Sequence, residues 1–244
     1  MKKNKLILHR EEILKILDAE YYGLSDIFSD KFGIVNAILE RHELDKYGLF
    51  MYQCLSANTK SLFNISRDVS SGGLGVNEDK KNAMTSCLAE ALERYCMSFI
   101  PKEEILTCKK SELDKNYIFS DFATYSAEQY RKTDEFLDPN SDSIEWTKIY
   151  DIEQKEKFMY WPASLIYLPF DINKVVAETT STGMAAGFSL NDCIMSGLLE
   201  LIERDALMIN FMQRLNPPEI DINTINGKNK DLINLIKLDY NIKI

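Results

Sequence analysis

Histidine is almost missing from this chain: 244 residues contain two, His9 and His42, and neither stands at helical spacing from a second metal ligand. That removes the usual Cys/His zinc site and leaves a histidine-based catalytic triad little to build on. Cysteine is scarce too. Cys54, Cys87, Cys96, Cys108 and Cys193 form an odd set with no Cys-x-x-Cys pair, so reduced thiols are expected, with Cys87, Cys96 and Cys193 as core fillers. Positive charge is short: 29 Lys and Arg face 38 Asp and Glu, a net charge of -9 with no basic run, which argues against nucleic acid as a main partner. Long apolar runs are absent. No stretch approaches the roughly 20 residues of a membrane span, and "MKKNKLILHREEIL" holds only Leu6-Ile7-Leu8 before His9, too little for a signal peptide. The expectation is a cytoplasmic protein with no membrane partner.

What is present is a globular composition, 45% hydrophobic and 27% charged, long enough for one large domain or two small ones. Residues 5–45 read as mostly helical, from the apolar spacing of "EEILKILDAEYYGL" and "FGIVNAILERHEL". "GLFMYQCLSA" (48–57) reads as a strand. The small residues of "SRDVSSGGLGVNED" (66–79) read as a loop that hands over to a helix from about 79 to 99, stopped by Pro101. Residues 101–142 are polar and irregular, with helical fragments around "SELDKNY" and "SAEQYRKTDEFL". A hairpin follows, "IEWTKIY" (144–150) and "FMYWPASLIYLP" (158–169), where Pro162 marks an edge or a bulge. A second loop rich in small residues (179–190) precedes a helix from about 190 to 213 ending before Pro217-Pro218, and the tail reads as a helix leading into a strand.

The chemistry lies in a repeat. "SCLAEALER" (86–94) returns as "SGLLELIER" (196–204), and the same alignment sets Gly73 on Gly183, Leu88 on Leu198, Glu90 on Glu200, Glu93 on Glu203 and Arg94 on Arg204. Two pseudo-symmetric halves, each a strand, a small-residue loop and a helix, are the simplest source of such a pattern. Residues three and four apart share a helix face, so Ser86, Glu90, Glu93 and Arg94 form one polar stripe, and Ser196, Glu200, Glu203 and Arg204 another. The apolar Leu88, Leu92, Leu198, Leu199, Leu201 and Ile202 around them imply that both helices pack on a core. As isolated ion pairs, Glu90-Arg94 and Glu200-Arg204 contribute roughly 0.2–0.5 kcal/mol each, which explains neither the matched serines nor the matched glycines. A shared site does. If the halves face each other, four carboxylates converge and need neutralising. Hard oxygen ligands suit Mg2+ with phosphate oxygens, and arginines and loop N–H groups near helix N-termini bind phosphate. A di-iron bundle would need Glu-x-x-His, and both copies read Glu-x-x-Glu-Arg.

These residues resemble the YcaO superfamily, whose nucleotide signature is Ser-x-x-x-Glu-x-x-Glu-Arg in a first helix and a related Glu-bearing helix later. Ser86-Glu90-Glu93-Arg94 fits the first, "STGMAAGFSLNDCIMSGLLELIERDA" (181–206) is similar to the second, and "WPASLIYLP" is similar to the segment before it. The resemblance implies an α+β fold of two pseudo-symmetric strand-loop-helix halves with mixed or antiparallel sheets flanked by helices, enclosing a nucleotide site. It sets an N-terminal helical segment (1–45) apart from an ATP-binding domain (46–244). The implied cofactors are ATP and Mg2+. Glu90, Glu93, Glu200 and Glu203 are the implied metal shell, and Ser86, Arg94, Ser196, Arg204, Gly73 and Gly183 the further nucleotide contacts. Gly75 and Gly187 share the backbone-approach reading, and Asp205 reads as a cap or a solvated helix residue. The implied reaction is ATP-dependent activation of a backbone amide, converting Cys, Ser or Thr of a ribosomally made precursor peptide into thiazoline or oxazoline, as in bacteriocin biosynthesis. A thioamide-forming or ribosomal-protein-modifying role and a non-catalytic scaffold are the alternatives. An E1-like, adenylating-type partner that binds the leader peptide, and a homodimer, are the partner readings. Two departures stand out. Leu74 occupies a loop position where some members carry Lys, and family domains continue beyond the second motif while this chain stops at Ile244. A fragment, half of a split protein or a decayed copy is the expectation that follows.

Overall fold

The computed structural model describes residues 6–17, 22–60, 72–114, 125–154 and 156–240. Among them, two antiparallel sheets are flanked by helices. The first sheet has the order β1 (Leu6–Ile7), β2 (Val35–Arg41), β3 (Phe50–Ser56) and β4 (Leu74–Asn77). Helices α1 (Arg10–Ile16) and α2 (Tyr22–Ser25) lie between β1 and β2, and α3 (Lys80–Met97) follows β4 and packs on β3 and β4. Ile13, Val35, Ile38, Tyr52, Met84 and Leu88 form the centre of this core, each fully buried. The boundary expected near residue 45 falls between β2 and β3, which pair along most of their length.

Two readings need correcting here. Residues 35–41, read as helix, are a strand. A register shift between Val35 and Ala37 breaks the two-residue alternation, so the buried pair becomes Val35 and Ile38, three apart, and imitates a helical period. "GGLGVN", read as loop, holds β4, paired with β3 from Phe50↔Asn77 to Gln53↔Leu74. Gly73 and Gly75 face inward because α3 lies almost on the strand backbone: a Cβ on Gly75 would stand 1.8 Å from the Ala83 carbonyl oxygen.

The second sheet runs β5 (Leu106–Lys109), β6 (Ser143–Tyr150) and β7 (Phe158–Pro162). β5 lies within the stretch read as irregular; of the helical fragments expected there, α4 (Ala127–Arg131) forms in the second, while the first, "SELDKNY", shows a 3-10 turn at Lys110–Glu112 and otherwise lies largely outside the described residues. Ile144, Glu145, Trp146 and Thr147 are all buried, as a central strand covered on both faces requires. The Trp146 indole N–H donates to the Cys108 carbonyl (3.1 Å). β7 is an edge strand and Pro162, opposite Trp146, is its last residue, in keeping with its missing N–H.

Helix α5 (Leu190–Gln213) begins with Ser189 accepting the Asp192 N–H (3.2 Å) and ends with Arg214 in the left-handed region. The expectation that it packs on a core as α3 does is not met. Its one buried residue is Gly197, while Leu198, Leu199, Leu201 and Ile202 are exposed; among the described residues no named element packs substantially against it. Helix α6 (Lys228–Tyr240) follows, its Lys228 Nζ 2.9 Å from Glu78. The strand expected after it lies outside the described residues. Among the described residues, no helix is long and apolar enough to cross a membrane. All five cysteines are free; of the three read as core fillers, Cys87 is buried, as is Cys54, whereas Cys96 is exposed and Cys193 half-buried.

Candidate functional site

Helix α3 starts at Asp79, which accepts the Asn82 N–H (2.9 Å), and buries Ala83, Met84, Cys87, Leu88 and Ala91. Glu90 therefore emerges at the rim of β4, where the Leu74 N–H donates to its Oε2 (2.9 Å) and Arg94 Nη2 to its Oε1 (3.4 Å). The second half repeats this construction. The Gly183 N–H donates to Glu200 Oε2 (3.2 Å), and Arg204 Nη2 donates to Glu200 Oε1 (3.3 Å). In each half the first glutamate of the motif is held between a backbone amide and the arginine one turn on, but the amide is offset by one position, coming from Leu74 of β4 in the first half and from Gly183, the counterpart of Gly73, in the second. Gly183 takes φ +84°, and the Gly197 backbone lies so close that a Cβ there would stand 2.4 Å from the Gly183 carbonyl oxygen; this contact seats the second loop on α5.

Glu93 differs from its neighbours. Its side chain is 16% exposed and Arg94 Nε stands 3.9 Å away. Burial pushes its carboxyl above the ordinary glutamate range; Arg94 pulls it back, while Glu90 and, from the other half, Glu200 push it up again. The carboxylates of the two helices thus act on one another at Glu93. Beside it lies a cavity of about 340 Å³, lined also by Cys96, Met97, Ile166, Tyr167, Met184 and Ala185. The Leu168 N–H, donating to the Met97 carbonyl (3.0 Å), ties this wall to the end of α3.

Glu90, Glu93, Arg94, Glu200 and Arg204 are brought into one region, with Gly73 and Gly183 in the loops that hold it. Ser86, Ser196 and Glu203 are exposed on their helices. The four glutamates do not form a ready-made cage: among the described residues, no three His, Cys, Asp or Glu side chains stand together as a metal-binding group. Glu90 and Glu200 are already engaged by an arginine and an amide each. That arrangement fits Mg2+ with a nucleotide, since Mg2+ takes one or two carboxylates and completes its shell with water and phosphate oxygens. The donor chemistry fits too, being all hard oxygen, and Glu93 sits in an excess of negative charge that a cation relieves. The Leu74 amide had no sequence signal, since it acts through its backbone. Ile166 and Tyr167 lie in the segment whose resemblance to the family was read from "WPASLIYLP", but it was read as strand, and the 3-10 turn Ala163–Leu165 that carries them to the cavity was not read from it.

Comparison with known proteins agrees with this geometry. A family model described as YcaO cyclodehydratase, ATP- and Mg2+-binding, matches residues 74–244. An uncharacterised protein of Methanothermobacter thermautotrophicus is 22% identical over an alignment of 221 positions that covers 84% of this chain and 50% of that protein. The chain thus spans about half the length of this curated relative. Among solved structures, a heterocyclase in complex with substrate and cofactor superposes with a TM-score of 0.71 at 20% identity, over 99% of this chain and 34% of the other. YcaO from Methanopyrus kandleri, bound with AMPPCP and Mg2+, gives a TM-score of 0.62 at 16% identity, over 95% and 52%. With the greater part of its length matched, including both glutamate-bearing helices and the loop before the second, this chain belongs to the YcaO family, whose cofactors are ATP and Mg2+.

Proposed function

We propose that this chain contributes the Mg-ATP site of an enzyme that activates a peptide backbone amide, converting Cys, Ser or Thr of a ribosomally made peptide to thiazoline or oxazoline. The observation that carries the reading is the duplicated clamp, backbone amide to glutamate to arginine, with the half-buried Glu93 set against the carboxylates of both halves. When bound, Mg-ATP supplies the phosphoryl group that turns an amide oxygen into a leaving group. The chain's own part is holding and orienting. Glu93, with Glu90 and Glu200, and Glu203 at the exposed edge, supply the negative charge for the cation. Arg94 and Arg204, whose contacts to Glu90 and Glu200 are long at 3.4 and 3.3 Å, are free to turn toward phosphate oxygens. Ser86, Ser196 and the loops at Gly73 and Gly183 border the same region. The residues Met97, Ile166, Tyr167 and Met184 give the region an apolar wall on one side.

ATP consumption by the purified chain, with and without a precursor peptide and an E1-like leader-binding partner, tests this. Glu90→Gln and Glu200→Gln should each lower turnover by about a hundredfold or more; equal turnover in wild type and both variants removes the site. The uncovered apolar surface of α5 favours a second reading, a scaffold that binds a partner without catalysis. Mg-ATP binding with no turnover in the presence of peptide and partner would select it.

A further inference from the structure

We propose that the cavity beside Glu93 receives a large apolar side chain, aromatic above all, from the substrate residue next to the one whose amide is activated; the proposal rests on the Mg-ATP reading above. The cavity measures about 340 Å³. That is the lower end of the range of ligand pockets and suits one bulky side chain. Glu93 is the only charged residue in its lining, and the same carboxylate interacts with Glu90 and Glu200 of the nucleotide site. The cavity therefore adjoins the place where the cation and phosphates would lie. Consecutive Cα atoms stand about 3.8 Å apart, so the neighbour of a residue reacting there reaches the cavity with its side chain.

The rest of the lining chooses between the two occupants this position suggests, a nucleotide base and a peptide side chain. A purine carries ring nitrogens and an amine that need partners once water is removed. The wall has few to give. The Ile166 and Tyr167 amides both donate to the Ala163 carbonyl (3.0 Å each), the Met184 amide donates to the Ser181 carbonyl (3.0 Å), and the Met97 carbonyl already accepts the Leu168 N–H (3.0 Å). The Tyr167 hydroxyl is paired with Oγ1 of Thr147, a buried residue of β6 (3.3 Å). Cys96, Met97 and Met184 offer only sulfur, a weak hydrogen-bonding partner. A base edge would stay unsatisfied against such a wall, whereas a hydrocarbon or aromatic side chain would not. Thioethers adapt to irregular shapes and make favourable contacts with aromatic rings, which places Phe ahead of an aliphatic occupant. The same hydrogen bonds hold the wall in place: Tyr167 is tied to the second sheet, Leu168 to the end of α3, and Met184 follows Gly183, whose amide binds Glu200.

The test titrates the purified chain, its methionine methyls isotope-labelled, with two probes, acetyl-Gly-Phe-Cys-Phe-Gly-amide and acetyl-Gly-Ala-Cys-Ala-Gly-amide. The Phe probe should bind about tenfold or more tightly than the Ala probe, and it alone should shift the methyl resonances of Met97 and Met184, identified by their loss in Met97→Leu and Met184→Leu. Saturating Mg-AMPPCP should not displace it. Ala185→Phe, which fills the cavity, should abolish the preference between the probes while Mg-AMPPCP affinity stays at the wild-type level, and the smaller filler Ala185→Leu should reduce the preference partway. Equal binding of the two probes, undetectable binding of both included, would overturn the proposal. So would displacement of the Phe probe by Mg-AMPPCP, which would give the cavity to the base, or a preference that survives in Ala185→Phe. The probe preference is read without nucleotide and Mg-AMPPCP binding without probe, so the side-chain pocket and the nucleotide reading can fail separately.

Discussion

At the scale of single residues, Glu93 is where the two halves of the site become physically coupled. Its carboxyl lies above its ordinary value of about 4.5, chiefly through burial, with Glu90 and Glu200 adding to the effect of burial and Arg94 opposing it. In the folded chain the proton is therefore kept at pH values where the unfolded chain has already lost it. Stability falls as pH rises from about 4.5 through the folded value, the reverse of a salt-bridged carboxylate. Thermal melts in Mg2+-free buffer should show this fall, and Glu93→Gln should flatten it. Mg-AMPPCP affinity should rise over the same pH window in wild type. Glu93→Gln should bind at least about tenfold more weakly and show no such rise. Glu43 and Asp151, held below their ordinary ranges, contribute with the opposite sign, so the decisive quantity is the difference between the two proteins: a Glu93→Gln profile parallel to that of wild type would contradict the charge arrangement described here.

At the scale of elements, the glycines of β4 do a different job from the one their sequence suggests. "GGLG" reads as a loop offering backbone to phosphate, whereas Gly75 is where α3 lies against the strand. Gly75→Ala would drive a Cβ into backbone, 1.8 Å from the Ala83 carbonyl oxygen and 2.7 Å from the Cys87 nitrogen, neither of which can rotate away. A loss of about 3 kcal/mol is expected in urea unfolding. Gly23→Ala, in α2 with open space around it, should instead raise stability by about 0.5–1 kcal/mol. The contrast shows which signals were legible. Helices α3 and α5, strand β3 and the existence of the hairpin of β6 and β7 were plain from periodicity and caps, although the second strand, read as 158–169, ends at Pro162, where Ala163–Leu165 turn as a short 3-10 helix. β2 was not, since its irregular register converts a strand's alternation into a spacing of three. β4 was not, because glycines occupy its inward positions and Leu74 and Val76 point outward. The repeated motif made the glutamates and arginines legible. Which partner each carboxylate takes depended on loop amides that carry no side-chain letter.

At the scale of the whole molecule, the two halves are unequal in burial although alike in sequence. α3 has a sheet beneath it; α5, its repeat, exposes Leu207, Met208, Phe211 and Met212 besides the leucines beside the motif. The solved structures it resembles are longer, this chain covering 34% and 52% of them. A helix apolar on several faces is a core helix by composition, and an uncovered apolar surface of this extent drives association. The purified chain should therefore bind a hydrophobic dye and grow in light-scattering mass with concentration. Leu207→Glu with Phe211→Lys replaces two exposed apolar groups, 56% and 74% accessible, by an i,i+4 pair in the favourable order. The double variant should keep unfolding free energy within about 0.5 kcal/mol of wild type while the concentration dependence weakens. Leu88→Glu on α3, fully buried, should abolish folding altogether. If Leu207→Glu with Phe211→Lys unfolded the chain as Leu88→Glu does, α5 would have to be buried against the rest of the protein, and the inequality between the halves would not exist.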